Sequence, residues 1–194
     1  MVQTNGPSTE FPRRYFLDPE KRYLLEWKYE HGAANDNGQV TFRVTVKTTG
    51  YVGFGLSRNG GMKGADIVIG WVHDGRAYLH DMHGVGNEIP VLDDKTNWIL
   101  KGGKEENGFT QLTFYRQLDT CDDQDIKIET GAMKVIYSYN EKDPVGGVKS
   151  VLYHGTRNRG SNIVYFDDDQ QPSFIPEPAM KTKDLTVKNV SYDC

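Results

Sequence analysis

The sequence predicts an all-β fold, an antiparallel β-sandwich of about nine to eleven short strands. Three observations carry that expectation. Apolar and polar residues alternate at period two in one segment after another, which is the spacing that turns one face of a strand into a core. Turn-forming residues, with 21 glycines among 194 residues, recur at intervals of about 8–12 residues, as they do in sandwiches. No segment shows a convincing helical repeat.

The elements follow in order. Residues 1–12 read as a loose polar segment. "RYLLEWKYE" (Arg22–Glu30) sets Tyr23, Leu25, Trp27 and Tyr29 on one side, a half-buried strand. "HGAANDNG" is turn chemistry, rich in residues that tolerate positive φ. "QVTFRVTVKT" then places Val40, Phe42, Val44 and Val46 on one face and Thr41, Arg43, Thr45 and Lys47 on the other. The two strands pair as a hairpin. "YVGFGLS" and "ADIVIGWVH" are apolar throughout, as strands covered on both faces are. Asp74–Gly75 between "IVIGWVH" and "RAYLHDM" is a tight-hairpin signal. "NWILKGG", "GFTQLTFYRQL", "AMKVIYSYN" and "NIVYFD" complete the strands. The folded domain spans 13–167, and 168–194, opening on an acidic, proline-bearing run, reads as a linker.

Composition narrows the function. The chain is 37% hydrophobic and 11% aromatic, with net charge −4 and a pI near 5.7. An acidic chain lacks the basic face that nucleic acid requires. No apolar run approaches the roughly 20 residues of a bilayer span. The first residues, "MVQTNGPSTEFPRR", hold no apolar core of a signal peptide. Two cysteines, Cys121 and Cys194, make neither a disulfide framework nor a zinc site. A chain ending on a cysteine reads as cut. Asn189 in "NVS" is a glycosylation sequon.

Candidate sites gather between Gly60 and Asn97. Asp66 stands at the head of an apolar strand. It either bonds exposed backbone or contributes to a cation site, since hard cations collect six to eight oxygens. Asp74, Asp81, Asp93, Asp94 and Asn97 follow closely, so oxygen ligands are plentiful. Met62 in "NGGMKGAD" is either a filler of core gaps or a thioether ligand to haem iron. His80 and His83, three apart on a strand, point to opposite faces and do not share a metal. His154 in "LYHGTRNRG" reads as a loop histidine. Nucleophilic catalysis has no signature: there is no G-x-S-x-G elbow, and Cys121 lies in the acidic "LDTCDDQD", which disfavours a thiolate. No phosphate-binding fingerprint appears.

The stretch "GYVGFGLSRNGGMKGADIVIGWVHDGRAYLHD" resembles the core signature of DOMON domains, G-[YW]-x-G-[FL]-G-x-S followed by a glycine-rich turn and A-D-[IVL]-x-x-G-W. "FPRRYFLDPEKRYLLEW" and "LDTCDDQDIKIETGAMKVIYSY" are similar to segments of the dopamine β-hydroxylase and monooxygenase X group. The resemblance covers nearly all of 11–194 and implies an immunoglobulin-like sandwich. It implies a non-catalytic interaction module of a secreted, copper- and ascorbate-dependent monooxygenase. Copper would lie only in later domains, whose start "NVSYDC" partly matches. Catalytic copper domains or another subunit are then the partners, and the secretory-vesicle lumen or the exterior is the location. The family cysteine, here Cys121, bonds a distant cysteine that is missing, and Cys194 would belong to the copper domain. The family's cation site maps onto the Asp66 carboxylate, the carbonyls of Ile67 and Met82, and Asn97, where the family has an acid. A second branch binds b-type haem through a methionine and a histidine, matched by Met62 and His154. A sugar-binding sandwich, with Trp71 or Trp98 as the contact, is a third class.

Overall fold

The computed structural model describes residues 10–30, 37–129 and 131–166. His31, the 168–194 linker, Asn189 and Cys194 lie outside the described residues. Eleven strands run β1 (Arg13–Phe16), β2 (Tyr23–Glu30), β3 (Gln39–Val46), β4 (Val52–Ser57), β5 (Asp66–His73), β6 (Arg76–His83), β7 (Val91–Leu92), β8 (Ile99–Glu106), β9 (Phe109–Gln117), β10 (Ala132–Tyr139) and β11 (Arg159–Tyr165). Among the described residues, the one helical element is a single 3₁₀ turn at Val148–Ser150.

The strands form two antiparallel sheets. One has the order β1-β2-β3-β9-β8, the other β11-β10-β4-β5-β6-β7. The expected β2–β3 hairpin is present, with Trp27 opposite Phe42. The β5–β6 turn uses Asp74 and Gly75, both at positive φ, 49° and 73°. That is the demand of the tight hairpin turn that a D-G pair satisfies.

The core fills the space between the sheets. Leu25, Trp27, Val40, Phe42, Val44 and Val46 are fully buried there, facing Phe54, Leu56, Val68 and Val135. Phe42 is the hub of an aromatic cluster, with Phe54, Trp98, Phe114 and Phe166 at centroid distances of 5.3–5.9 Å. Rings at such spacing add to their area burial.

A second apolar layer lies on the outer face of the six-stranded sheet. Ile67, Ile69, Trp71 and Met82 pack there with Tyr51, beneath Val148 and Val151. Strand alternation explains it. Along β5, Asp66 and Val68 turn toward the sandwich interior, while Ile67, Ile69 and Trp71 turn outward. A strand covered on both sides needs a continuous apolar run, which is why "IVIGWV" carries no polar alternation.

Candidate functional site

The outer face of the six-stranded sheet carries a cavity of about 820 Å³, in the size range of small-molecule and cofactor pockets. Its floor is apolar, built by Ile67, Ile69 and Ile136. Met62 and His154 both line it, from two different loops. Neither residue plays its plainer role: Met62 is half-buried at the cavity rather than filling the core, and His154 is half-buried rather than solvated.

The loop that carries Met62 is tied at both ends. The Ser57 hydroxyl donates to the Gly61 carbonyl at 2.7 Å and accepts from the Gly60 amide at 2.9 Å. The Gly64 amide donates to the Gly84 carbonyl at 2.6 Å, and the Gly84 amide donates to the Ala65 carbonyl at 2.8 Å. Gly84 has to be glycine for this contact, because a Cβ there would stand 1.8 Å from the Met62 carbonyl oxygen. The loop of His154 is held by the Tyr51 hydroxyl, which donates to the Leu152 carbonyl at 2.6 Å, and by the Asn140 amide on the Tyr153 carbonyl at 3.0 Å.

His154 Nδ1 lies 2.7 Å from the Gly155 carbonyl. A carbonyl only accepts, so Nδ1 carries the proton and Nε2 keeps its lone pair. Burial, chiefly, holds the imidazole below its ordinary pKa, with the charge of Arg159 adding to it. A neutral imidazole whose far nitrogen is anchored to backbone is the form that ligates a metal.

On the inner side of the same strands sits a cluster of acids. Asp66 is fully buried and accepts from the Trp98 indole at 2.5 Å, from the Ile126 amide at 3.0 Å and from the Arg116 guanidinium. Arg116 is likewise fully buried and also donates to the Ile126 carbonyl. Burial pushes the Asp66 carboxyl up to about 6, against the pull of Arg116, Trp98 and Ile126. At pH 7 it is ionised, and its oxygens are largely committed within the protein.

The neighbouring oxygens are not. Asp81 accepts from the amides of Asn97 and Trp98 through one oxygen, at 2.6 and 3.1 Å. Its other oxygen is buried without a partner among the described residues, as are an Asp93 oxygen, the Asn97 amide oxygen and both Asp125 oxygens. Carboxylate oxygens of Asp66, Asp81 and Asp125 lie within 4.8 Å of one another. Burial pushes Asp81 up to about 7, reinforced by the charges of Asp66 and Asp93. Asp93 is raised by burial too, against its bond to His83.

Of the sequence set for a cation, Asp66 and Asn97 meet around Asp81. Ile67 and Met82, expected to offer backbone carbonyls, are partners in the β5–β6 ladder, each next in sequence to one of these acids. Asp125 and Arg116 escaped the sequence reading. Arg116 had a signal: it continues the inward series Thr110, Leu112, Phe114, where a charge demands a buried partner. Asp125 in "CDDQD" looks like any solvated acidic run.

The remaining residues separate. His80 stacks on Trp71 at 5.3 Å, whereas His83 bonds Asp93, so the two histidines do point apart. His73 bonds Asp143 at 3.0 Å. Trp71 and Trp98 are both buried, which removes the exposed contacts a sugar site on them would need. Cys121 is an exposed free thiol among the described residues.

The DOMON domain model matches residues 19–140. Over 189 residues the chain is 37% identical to DBH-like monooxygenase protein 1 of Gallus gallus, covering 95% of this chain and 29% of that protein. The human protein of the same name is 36% identical over 195 residues, with coverages of 97% and 30%. The chain thus spans under a third of the length of these curated relatives. Among solved structures it is similar to the cytochrome b domain of pyranose dehydrogenase from Coprinopsis cinerea, with a TM-score of 0.62 at 15% identity, covering 80% of this chain and 81% of that one. Likeness at that identity is a likeness of fold.

Proposed function

The chain belongs to the DOMON domain family, and we propose that it is a non-catalytic module of a DBH-like monooxygenase that holds b-type haem between Met62 and His154. The observation that carries this reading is the shared cavity: one thioether and one neutral, backbone-anchored imidazole on the same apolar chamber. The fit is chemical as well as spatial. Ile67, Ile69 and Ile136 offer the apolar contact that a porphyrin face needs. The haem, when bound, supplies a one-electron couple whose potential Met/His ligation raises. The chain's own part is to exclude water with the Val151–His154 segment, to keep His154 Nδ1 protonated toward Gly155, and to hold Met62 through the Gly64–Gly84 bonds.

The structural relative described as a cytochrome b domain supports this reading by its fold. The DBH-like relatives extend well beyond the matched region, which supports further domains as partners. Copper would act only there, and the secretory route of such enzymes is the expected location. Titrating the purified chain with haem tests the site. A saturable Soret band is expected, shifted or abolished by Met62→Ala and by His154→Ala. Spectra indifferent to both substitutions would reject the ligand pair.

A second reading concerns the inner acids. Unpartnered buried oxygens on Asp81, Asp93, Asn97 and Asp125 favour one Ca²⁺-like ion beside Asp66, since buried polar atoms without partners call for an occupant. It adds Asp81, Asp93 and Asp125 to the ligand set expected from the sequence and stands beside the haem reading, because β5 and β6 separate the two sites. Isolated chain supplied with copper and ascorbate is expected to hydroxylate no amine; turnover in that assay would overturn the module reading.

A further inference from the structure

Arg159 opens β11 and is the Cα partner of Ser138 on β10. Residues of β11 alternate, with Val164 and Phe166 in the core, so Arg159 and Ser161 belong to the outer face, where the cavity is. Both line it, as do Ser138 and Thr156. This is a hydroxyl- and guanidinium-bearing stretch of a wall that is otherwise largely apolar. Arg159 is exposed at the rim, and it forms no ion pair among the described residues. Glu88, an acid from another loop, also lines the cavity and does not pair with it. An unpaired guanidinium beside hydroxyls on the edge of an apolar chamber is matched to a carboxylate.

We infer that Arg159 is the anchor for a carboxylate-bearing edge of the ligand, so that the cavity takes a flat apolar ring with acidic groups on one side and seats that side toward β11. This rests on the porphyrin reading of the cavity and adds an orientation to it. The neighbouring wall supports the placement. The Met62 loop lies against the same strand, since a Cβ on Gly60 would come within 3.5 Å of the Ser161 hydroxyl. His154 lines the same cavity as Arg159, and the charge of Arg159 contributes to lowering its pKa.

The test uses the full chain and two pairs of probes: haem b against its dimethyl ester, and metal-free protoporphyrin IX against its dimethyl ester. Binding is read by absorbance and by quenching of tryptophan fluorescence. Wild type is expected to favour the free acids over the esters by about threefold to tenfold, the range of an exposed to half-buried charged hydrogen bond. Arg159→Gln should erase that preference while leaving ester affinity unchanged, Arg159→Lys should keep part of it, and Glu88→Gln should enlarge it. Equal acid-to-ester ratios in wild type and Arg159→Gln overturn the anchor. The metal-free pair separates the two ideas. An intact acid preference there, with haem spectra blind to Met62→Ala and His154→Ala, removes the axial ligands and leaves the anchor standing. No saturable binding of any probe by wild type removes both.

Discussion

The least replaceable residue pair is Asp66 and Arg116, two charges with no exposure whose bonds reach Trp98 and both backbone groups of Ile126. Removing one partner leaves the other charge buried and unpaired. Asp66→Ala or Arg116→Ala is expected to lower unfolding free energy by about 3–5 kcal/mol, read from urea denaturation midpoints. Losing cation binding in Asp66→Ala would therefore say little about ligation, and Asp125→Asn is the cleaner variant. His154 makes a pH prediction. Its folded pKa lies below the ordinary 6.5 because of burial, so the unfolded chain takes up the proton first and stability falls as pH drops below 6.5. Protonation also consumes the Nε2 lone pair. Haem affinity should fall over the same window, measured by titration between pH 7.5 and 5, while a His154-independent site would show a flat profile.

At the scale of elements, the β5–β6 pair does the positioning. Each strand turns one side chain to the acids and the next to the outer face: Asp66 beside Ile67, which lines the cavity, and Asp81 beside Met82, which packs in the outer apolar layer. The Met62 loop is laced to the end of β6 through Gly84. Gly84→Ala must displace that loop, because its Cβ cannot coexist with the Met62 carbonyl at 1.8 Å. The expected result is weakened or spectrally altered haem binding with the sandwich intact, checked by Soret titration beside circular dichroism. Unaltered haem spectra in a folded Gly84→Ala protein would mean that the loop does not set the ligand. The alternation that divides the strands' duties is legible in the sequence wherever one face is polar, as in β3. In β5 it is not, because both faces are covered by apolar residues and the period-two signal vanishes.

For the whole molecule, the inner acids set a dependence on cations and pH. Asp81 and Asp93 have folded pKa values above their unfolded ones. The contribution of Asp81 is fully present below about pH 4 and is lost as pH rises through about 7; that of Asp93 has the same sign. A divalent cation would replace the missing protons. Millimolar Ca²⁺ is thus expected to raise Tm more at pH 7.5 than at pH 5.5, and Asp125→Asn should remove the rise; equal Tm with and without Ca²⁺ at both pH values would reject the cation site. The sequence by itself determined the sandwich and the β2–β3 and β5–β6 hairpins, since periodicity and turn chemistry are local properties; Met62 and His154 are marked as a pair only by the family resemblance. Only the tertiary structure decided that Asp125 joins Asp81 and that Arg116 neutralises Asp66. It also decided that Trp71 and Trp98 are buried and that a chamber opens above Ile67 and Ile69. Those facts depend on which strands meet across the sandwich and which loops fold over it, and contacts between residues 40 to 90 positions apart leave no trace in local spacing.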